Sequence, residues 1–366
     1  MLSVGTSVPK RGGEGRRTML AVTLADLSFR ARQFLIATVG VGLVLAMALL
    51  LAGLSAGFRA EVNGTVNGVG ADSWVLAKSS QGRITAFAAF PELQALVVQH
   101  EAGVTTAAPL LVLPFQVAHV DGNITTINVV GVVPGRLGDP QVTSGHRIDG
   151  PLQMVADIRL KEPLGTAVTF GDRTFHVVGT VTNRSLVGGV PMTYVPLASA
   201  QQVATEGQPL ITAVVTKGVP RHVPVGLVAF SPVQAAAATV GQLKTAAASI
   251  NNTRWLMWAV AIIIVASLLY VAALERRRDF AVLKALGSSS RALFASLVLE
   301  SLVVTLVATA FAELVANLLT SLFTQPVDIT TTARLSLPVI AVVVGLISSF
   351  SALRRVTGAD PAGAFA

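Results

Sequence analysis

The chain has no cysteine and few charged residues. The absence of cysteine excludes disulfides, thiolate metal sites and a cysteine nucleophile anywhere in the 366 residues. Charged residues make up 13% of the chain, whereas soluble globular proteins carry about 25%. That is too few charges to cover a soluble surface of this size. Since 52% of the residues are hydrophobic, the apolar excess must face lipid.

The sequence also lacks the common catalytic signatures. It contains no G-x-x-x-x-G-K-S/T phosphate loop, no H-E-x-x-H motif and no nucleophile elbow. Its five histidines do not show the spacing of metal ligands. We therefore predict no catalytic, cofactor-binding or metal-binding residue on this chain. ATP hydrolysis by the phosphate-loop route is excluded for the sequence given.

Four apolar runs are long enough to cross a bilayer, which takes about 20 helical residues. They are residues 33–56, 255–274, 292–323 and 335–353. Because lipid offers no hydrogen-bond partners to the backbone, each run should be helical. The predicted fold is a membrane α-helical protein with four transmembrane helices. A large extracytoplasmic α+β domain, residues 57–254, lies between helices 1 and 2.

The distribution of basic residues predicts the orientation. With the N-terminus inside, residues 1–32, 275–291 and 354–366 are cytoplasmic and hold 13 of the 27 Lys and Arg residues. Their density is about threefold higher than in the outside segments, 57–254 and the short external loop 324–334, as the positive-inside rule requires. The net charge of +8 therefore reflects topology rather than nucleic-acid binding. We predict a multi-pass plasma-membrane protein with the N-terminus and the tail 354–366 in the cytoplasm.

The N-terminal region precedes the first apolar run. Residues 1–18 are Gly/Arg-rich and patternless, which predicts a disordered tail and leaves Met1 and Met19 as alternative starts. In residues 19–32, Leu20, Leu24 and Leu27 recur at helical spacing. This spacing predicts an amphipathic helix lying on the inner leaflet. The alternative is a simple helical extension of the first span.

Residues 57–254 show the alternation and turn residues of short strands. Strands are predicted at 127–133, 167–170, 174–181 and 192–195, with Gly171-Asp172 as the turn of a hairpin. Helical patterns occupy 91–100, 197–204 and 233–250. The segment therefore predicts an α+β domain with its own core.

Three passages carry a family resemblance. The first passage is L-E-R-R-R-D-F-A-V-L-K-A-L-G at residues 274–287. The second consists of V-G-V at 130–132, V-G-T-V at 178–181 and Y-V-P-L at 194–197. The third is L-R-R-V-T-G-A-D-P-A at 353–362. Together with the order of spans, they resemble the MacB/FtsX-type permeases of ABC transporters from Met19 onward. The chain departs from the family pattern at Phe280-Ala281, where Ile-Gly is common, and at Gly363, where an acidic residue is common.

The resemblance implies a permease subunit without its own ATPase domain. Its partners would be a P-loop ABC ATPase, which holds the ATP and Mg, and a second permease copy or a paralogue in a dimer. The lipid bilayer and an envelope protein are further expected partners, whereas nucleic acid is not. The family function is to convert ATP hydrolysis into movement of the external domain, for export, extrusion or mechanotransmission.

The cytoplasmic loop 275–291 is the candidate ATPase-coupling site. Phe280, Leu283 and Gly287 fall near one helical face, and an apolar ridge of this kind suits a groove in a partner. The alternative is that the charges only anchor topology and anionic lipid. By the resemblance, the coupling residues are Glu275, Arg276, Arg277, Asp279, Phe280, Leu283, Lys284 and Gly287.

Two acidic residues, Glu300 and Glu313, lie in the third predicted span. A carboxylate in the bilayer is costly and should face protein or water. One interpretation is proton or substrate handling, and the other is a structural hydrogen bond between helices. At 100° per residue the two side chains lie about 140° apart, which does not form a carboxylate pair.

Small residues repeat every four positions in two predicted spans. They are Gly42 and Ala46 in the first and Ala308, Ala312 and Ala316 in the third. Such stripes let helices approach closely in lipid, although a chain that is simply rich in alanine would also show them.

Two rival functions belong to other classes. One is an ATPase-independent membrane-anchored receptor or scaffold whose external domain binds an envelope partner. The other is an intramembrane enzyme, which depends only on Glu300 and Glu313.

Overall fold

The structure is a computed structural model that describes residues 31–118, 124–186, 188–275, 290–320, 322 and 327–357. The helices in these residues are α1 (Ala31–Gly68), α2 (Leu93–Gln99), α3 (Leu197–Thr205), α4 (Pro232–Val240), α5 (Lys244–Glu275), α6 (Ser290–Thr320) and α7 (Thr331–Thr357). Three short 3-10 helices, Lys78–Ser80, Ile158–Leu160 and Gly241–Leu243, complete the helical elements of this part of the chain.

The strands of the described residues all lie between α1 and α4. They are β1 (Ser73–Ala77), β2 (Phe90–Pro91), β3 (Val104–Ala118), β4 (Ile124–Val132), β5 (Ser144–Gly145), β6 (Gln153–Asp157), β7 (Ala167–Phe170), β8 (Arg173–Val181), β9 (Ser185–Leu186), β10 (Val190–Pro196), β11 (Leu210–Ile211), β12 (Ala213–Gly218) and β13 (Leu227–Phe230).

The chain divides into two compact units. The membrane unit is the described part of residues 1–53, 249–322 and 329–366, and the inserted domain is the described part of 54–248 and 323–328. Helix α1 passes from the membrane unit into the inserted domain at Leu54, and α5 returns at Ser249. The predicted insertion of an α+β domain between the first two spans is confirmed.

Among the residues that the structure describes, four helices are long and apolar enough to cross a membrane. The qualifying stretches are Thr38–Gly68, Ala246–Val271, Val298–Thr320 and Thr331–Phe350. Helices α1 and α5 extend beyond the predicted spans 33–56 and 255–274 into the residues assigned to the domain. The extension of α1 remains helical because Val62, Thr65 and Val66 recur at helical spacing on a buried face.

A mixed sheet of eleven strands forms the inserted domain. Its order is β13-β1-β12-β3-β4-β10-β6-β8-β5, with β7 added to β8 and β9 added to β10, and β11 pairs with β2 separately. Pairs β4–β10 and β6–β8 are parallel, and the other pairs are antiparallel. The predicted hairpin is confirmed, because β7 and β8 pair from Ala167↔His176 to Phe170↔Arg173 around Gly171-Asp172.

Helices cover both faces of this sheet. Along β3, Leu111 and Leu113 join the core cluster that contains α2 and α3 residues, whereas Leu110 and Val112 join the cluster on the opposite face. Alternate side chains of a strand point to opposite faces. Because residues 107–113 are buried on both faces, this middle part of β3 reads as a continuous apolar run rather than an alternating one.

The helices of the membrane unit bury narrow stripes against one another. In α5 the buried positions are Ala261, Val265 and Leu269, four residues apart. In α6 they include Ala308, Ala312 and Ala316, each 0% exposed. Large apolar side chains such as Leu306, Leu314 and Leu318 remain exposed on the other side of α6, as lipid contact requires.

Candidate coupling site

The last turns of α1 belong to the core of the inserted domain. Val62 and Val66 are 0% exposed and pack in the same cluster as Trp74, Leu186 and Tyr194. Burial of a valine side chain stabilises a fold by about 1.5–3 kcal/mol. A helix that begins with an apolar span therefore ends as a structural element of the domain.

A buried carboxylate lies on the same part of α1. The Glu61 side chain is 3% exposed, and Arg159 donates from Nη1 to its Oε1 at 3.2 Å. The backbone N–H groups of Gly188 and Gly189 donate to the same carboxylate, at 3.2 Å and 3.0 Å. Charge-assisted hydrogen bonds are about twice as strong as neutral ones, so the buried charge of Glu61 is well compensated.

Backbone conformation makes the two glycines suitable donors. Gly188 and Gly189 lie in the turn between β9 and β10 and have φ values of 90° and 83°. Positive φ is accessible to glycine without steric cost. The turn thus presents two successive N–H groups to one carboxylate, an anion-binding arrangement of backbone donors.

Asp157, the last residue of β6, accepts hydrogen bonds from the backbone of both arginines of the site. Its side chain accepts the N–H of Arg159 at 2.9 Å and the N–H of Arg184 at 2.6 Å. Asp157 is 1% exposed, so its carboxylate fixes the backbone of both residues in a buried setting. The Arg159 guanidinium also contacts the Ser185 hydroxyl.

The C-terminal end of α1 receives donors from the same segment. Arg184 donates to the carbonyl oxygens of Gly64 at 3.0 Å and Gly68 at 3.2 Å. A cation at a helix C-terminus complements the helix dipole. The Gly68 carbonyl is one of the last four of the helix, which have no helical partner. Thr65 Oγ1 donates to the Ser185 carbonyl at 2.7 Å. We call Glu61, Asp157, Arg159, Arg184 and the Gly188-Gly189 turn the α1 clamp.

Tyr194 lies in β10, which follows the glycine turn of the clamp. Its side chain is 3% exposed, and its hydroxyl lies 3.9 Å from Met192 Sδ. Burial raises the pKa of the Tyr194 phenol well above its ordinary value. The nearby Arg184 charge acts in the opposite direction but more weakly.

In the membrane unit, α6 contacts α7 through hydroxyl groups. Ser301 Oγ donates to the Gly345 carbonyl at 3.1 Å and lies 2.8 Å from Ser349 Oγ. A Cβ on Gly345 would lie 3.2 Å from Ser301 Oγ, so glycine permits this close approach. Interhelical hydroxyl bonds of this kind stabilise helix association in lipid by about 0.6 kcal/mol.

The small residues of α1 and α6 meet. A Cβ on Gly42 would lie 2.6 Å from Phe311 Cδ1 and 3.0 Å from the Ala308 carbonyl oxygen. Ala46, one turn further along α1, is 1% exposed. The predicted packing role of the stripes therefore has a geometric basis at Gly42.

The acidic residues predicted inside the membrane occupy different environments. Glu300 is 2% exposed, whereas Glu313 is half-buried. They lie more than three turns apart on α6, so the structure does not bring them together. Among the described residues, no group of three or more His, Asp or Glu side chains could hold a metal ion.

Most predicted coupling residues fall outside the described residues. Glu275 is the last residue of α5, and residues 276–287, with Phe280, Leu283 and Gly287, lie beyond it. The predicted amphipathic helix at 19–32 also falls almost wholly outside the described residues, of which Ala31 is the first. The α1 clamp was not predicted. Its only sequence signal is an acidic residue, Glu61, next to an apolar helical face.

Sequence comparison identifies the family. A family profile described as "FtsX-like permease C-terminal" matches residues 255–361. The "Uncharacterized ABC transporter permease Rv0072" of Mycobacterium tuberculosis is 36% identical over 347 residues, which cover 95% of this chain and 99% of that protein. The chain belongs to the MacB/FtsX-type family of ABC transporter permeases.

Other relatives of the permease share the same description. The "Uncharacterized ABC transporter permease Mb2592" of Mycobacterium bovis is 35% identical over 349 residues, covering 95% of the permease and 99% of that protein. An ABC transporter permease works with an ATPase, so the permease has an ATPase partner.

Two solved structures resemble part of the permease. The periplasmic region of MacB from Actinobacillus actinomycetemcomitans aligns with 15% identity and a TM-score of 0.34, covering 50% of the permease and 96% of that chain. The extracellular domain of the noncanonic ABC-type transporter YknZ from Gram-positive bacteria aligns with 18% identity and a TM-score of 0.30, covering 37% and 76%.

Proposed function

We propose that the permease converts ATP hydrolysis on a separate ATPase subunit into movement of its inserted domain, for export, extrusion or mechanotransmission. The observation that carries the proposal is the course of α1. One helix contains the first apolar span, and its residues Val62 and Val66 lie in the core of the inserted domain. A packed helix transmits displacement because interiors are dense and hardly compressible.

The ATPase would dock on the loop 275–291. If the loop is helical, Phe280 and Leu283 would form its apolar ridge and Gly287 would end it. Arg276, Arg277 and Lys284 would add positive charge around the ridge. ATP and Mg would be held by the partner subunit, because this chain has no phosphate loop. The loop and both termini would be cytoplasmic, which places the inserted domain outside, as the density of basic residues indicates.

The assembly would contain two permease subunits, identical or paralogous, and two ATPases. ABC ATPases act in pairs, so a pair of docking loops is required. Glu300 and Glu313 would serve helix packing rather than chemistry. Their separation along α6 supports this assignment, as does the burial of Glu300 beside the Ser301 contact with α7.

The docking loop can be tested by substitution. Phe280→Asp and Leu283→Asp each place a charge on the apolar ridge, and we expect each to abolish co-purification of the P-loop ATPase with the full-length permease in detergent. An interface anchor typically contributes about 2–4 kcal/mol, which corresponds to a loss of affinity of about 30-fold or more. Mass spectrometry and ATP hydrolysis identify the partner.

Val219→Asp is the matched control. Val219 is an exposed apolar residue of the inserted domain, 61% exposed, and its replacement should leave the ATPase bound. Unchanged complexes with Phe280→Asp would refute the docking assignment. A wild-type permease that binds no ATPase would favour an anchored receptor or scaffold instead.

A further inference from the structure

We propose that Glu61, Arg159 and the Gly188-Gly189 turn form the fastening point through which α1 moves the sheet of the inserted domain. The inference rests on the proposed function and names the residues that transmit the movement. It concerns positioning residues, since none of these groups would touch nucleotide or transported substrate.

Several hydrogen bonds converge on the side chain of Glu61. The Glu61 carboxylate accepts from Arg159 Nη1, Gly188 N and Gly189 N, all between 3.0 and 3.2 Å. The apolar contacts of Val62 and Val66 are non-directional. Directional hydrogen bonds to a buried charge resist sliding and rotation of the helix, which apolar packing alone does not.

The partners of Glu61 lie next to two adjacent strands of the sheet. Arg159 follows β6, and the glycine turn precedes β10, and these two strands are hydrogen-bonded neighbours. Asp157 binds the N–H groups of Arg159 and Arg184 and so joins both segments behind the Glu61 contact. A displacement of α1 would therefore reach β6 and β10 together.

The carboxylate at the centre of the site is shielded from solvent. The Glu61 side chain is 3% exposed and that of Arg159 is 35% exposed. Ion pairs on open surfaces contribute little and are screened by salt. Burial makes the Glu61 contact much less sensitive to ionic strength, as a mechanical connection requires.

The test uses the full-length permease in nanodiscs with its ATPase. The chain has no native cysteine, so spin labels attach only to introduced cysteines. The two substitutions are Asn63→Cys on α1 and Asp172→Cys in the β7–β8 turn. Both positions are exposed. We expect a narrow distance distribution between the labels that does not change with ATP, because the clamp makes α1 and the sheet move together.

Glu61→Gln tests the fastening point directly. A Gln amide retains an acceptor for the glycine turn but loses the charge pairing with Arg159, so the distribution should broaden about twofold and become ATP-dependent. The ATPase should remain bound and active. The matched control is Glu101→Gln, an acid at 3.9 Å from His222 elsewhere in the domain, which should leave the distribution narrow.

The outcomes separate the two proposals. An unchanged distribution in Glu61→Gln, with or without ATP, would overturn the fastening role even if the unfolding temperature fell. Broadening without nucleotide supports the fastening point, whether or not the wild-type permease binds an ATPase. Absence of that ATPase complex would overturn only the proposed function. Arg159→Lys, which retains the charge, should restore part of the narrow distribution when compared with Arg159→Gln.

Discussion

Burial determines how the ionisable residues around the end of α1 behave. Glu61 and Asp157 are surrounded by donors from Arg159, Arg184 and backbone N–H groups, so their charges remain compensated inside the domain. The Tyr194 hydroxyl lies 3.9 Å from Met192 Sδ, and burial raises the pKa of this phenol. The same part of the domain thus supplies hydrogen-bond donors to the two carboxylates, whereas burial disfavours ionisation of the phenol.

The raised pKa of Tyr194 predicts a loss of stability in alkali. The folded state keeps the phenol neutral, whereas the unfolded chain ionises near the ordinary value of 10.0. The stabilisation is therefore fully present below pH 10 and declines as the pH rises above it, by about 1.4 kcal/mol per pH unit. Tyr194→Phe should match the wild type within about 0.5 kcal/mol at pH 7 and unfold at a higher temperature than the wild type at pH 11.

Tryptophan fluorescence of the full-length permease in detergent provides the measurement, since Trp74 is buried in the same core cluster. Parallel decreases of the unfolding temperature between pH 7 and pH 11 in both proteins would contradict the assignment of the alkaline loss to Tyr194.

At the scale of elements, local sequence patterns were sufficient to predict those helices and strands whose signal lies within one short stretch of the chain. The hairpin at β7–β8 was predicted because alternation and the pair Gly171-Asp172 lie within one short stretch. The spans were predicted because each is a continuous apolar run. The extension of α1 to Gly68 was not predicted, because residues 57–68 are too polar for a span and their buried face depends on distant strands.

The clamp could not have been predicted for the same reason. Arg159 is 98 positions from Glu61, and Gly189 is 128 positions away. No periodicity joins residues so far apart, and a single glutamate after an apolar run also suits a solvated helix surface. Only the pairing of β6 with β10 brings Arg159 close to the glycine turn.

Close helix packing in the membrane unit depends on Gly42. In Gly42→Ala the new Cβ would lie 2.6 Å from the Phe311 ring and 3.0 Å from the Ala308 carbonyl oxygen of α6, so the Phe311 ring or one of the two helices must shift. Overpacking of this kind costs about 1–3 kcal/mol, and we expect a lower unfolding temperature in detergent.

Gly40→Ala is the matched control in the same helix. Nothing lies within 4 Å of a Cβ at Gly40, so this substitution should be neutral or stabilise α1 by up to about 1 kcal/mol. Equal unfolding temperatures for the two variants would show that α1 and α6 do not pack closely at Gly42.

At the scale of the whole molecule, α1 and α5 both continue from the membrane unit into the inserted domain. A domain inserted between two membrane helices in this way has two helical connections to the bilayer and no free terminus. The proposed function requires that movement of either helix be passed on to the domain. The proposed function depends on the inserted domain lying across the bilayer from the loop 275–291.

Counting spans gives the relative sides of the segments, and the density of basic residues predicts which side is outside. Both can be measured with introduced cysteines. His176 is exposed in β8 and Asp328 is exposed between α6 and α7. One apolar helix, α5, separates His176 from Arg277, whereas two helices, α5 and α6, separate His176 from Asp328. His176→Cys and Asp328→Cys should therefore react with a membrane-impermeant maleimide in intact cells, whereas Arg277→Cys should react only after permeabilisation. If Arg277→Cys and His176→Cys were labelled from the same side, the loop could not couple an ATPase to a domain across the bilayer.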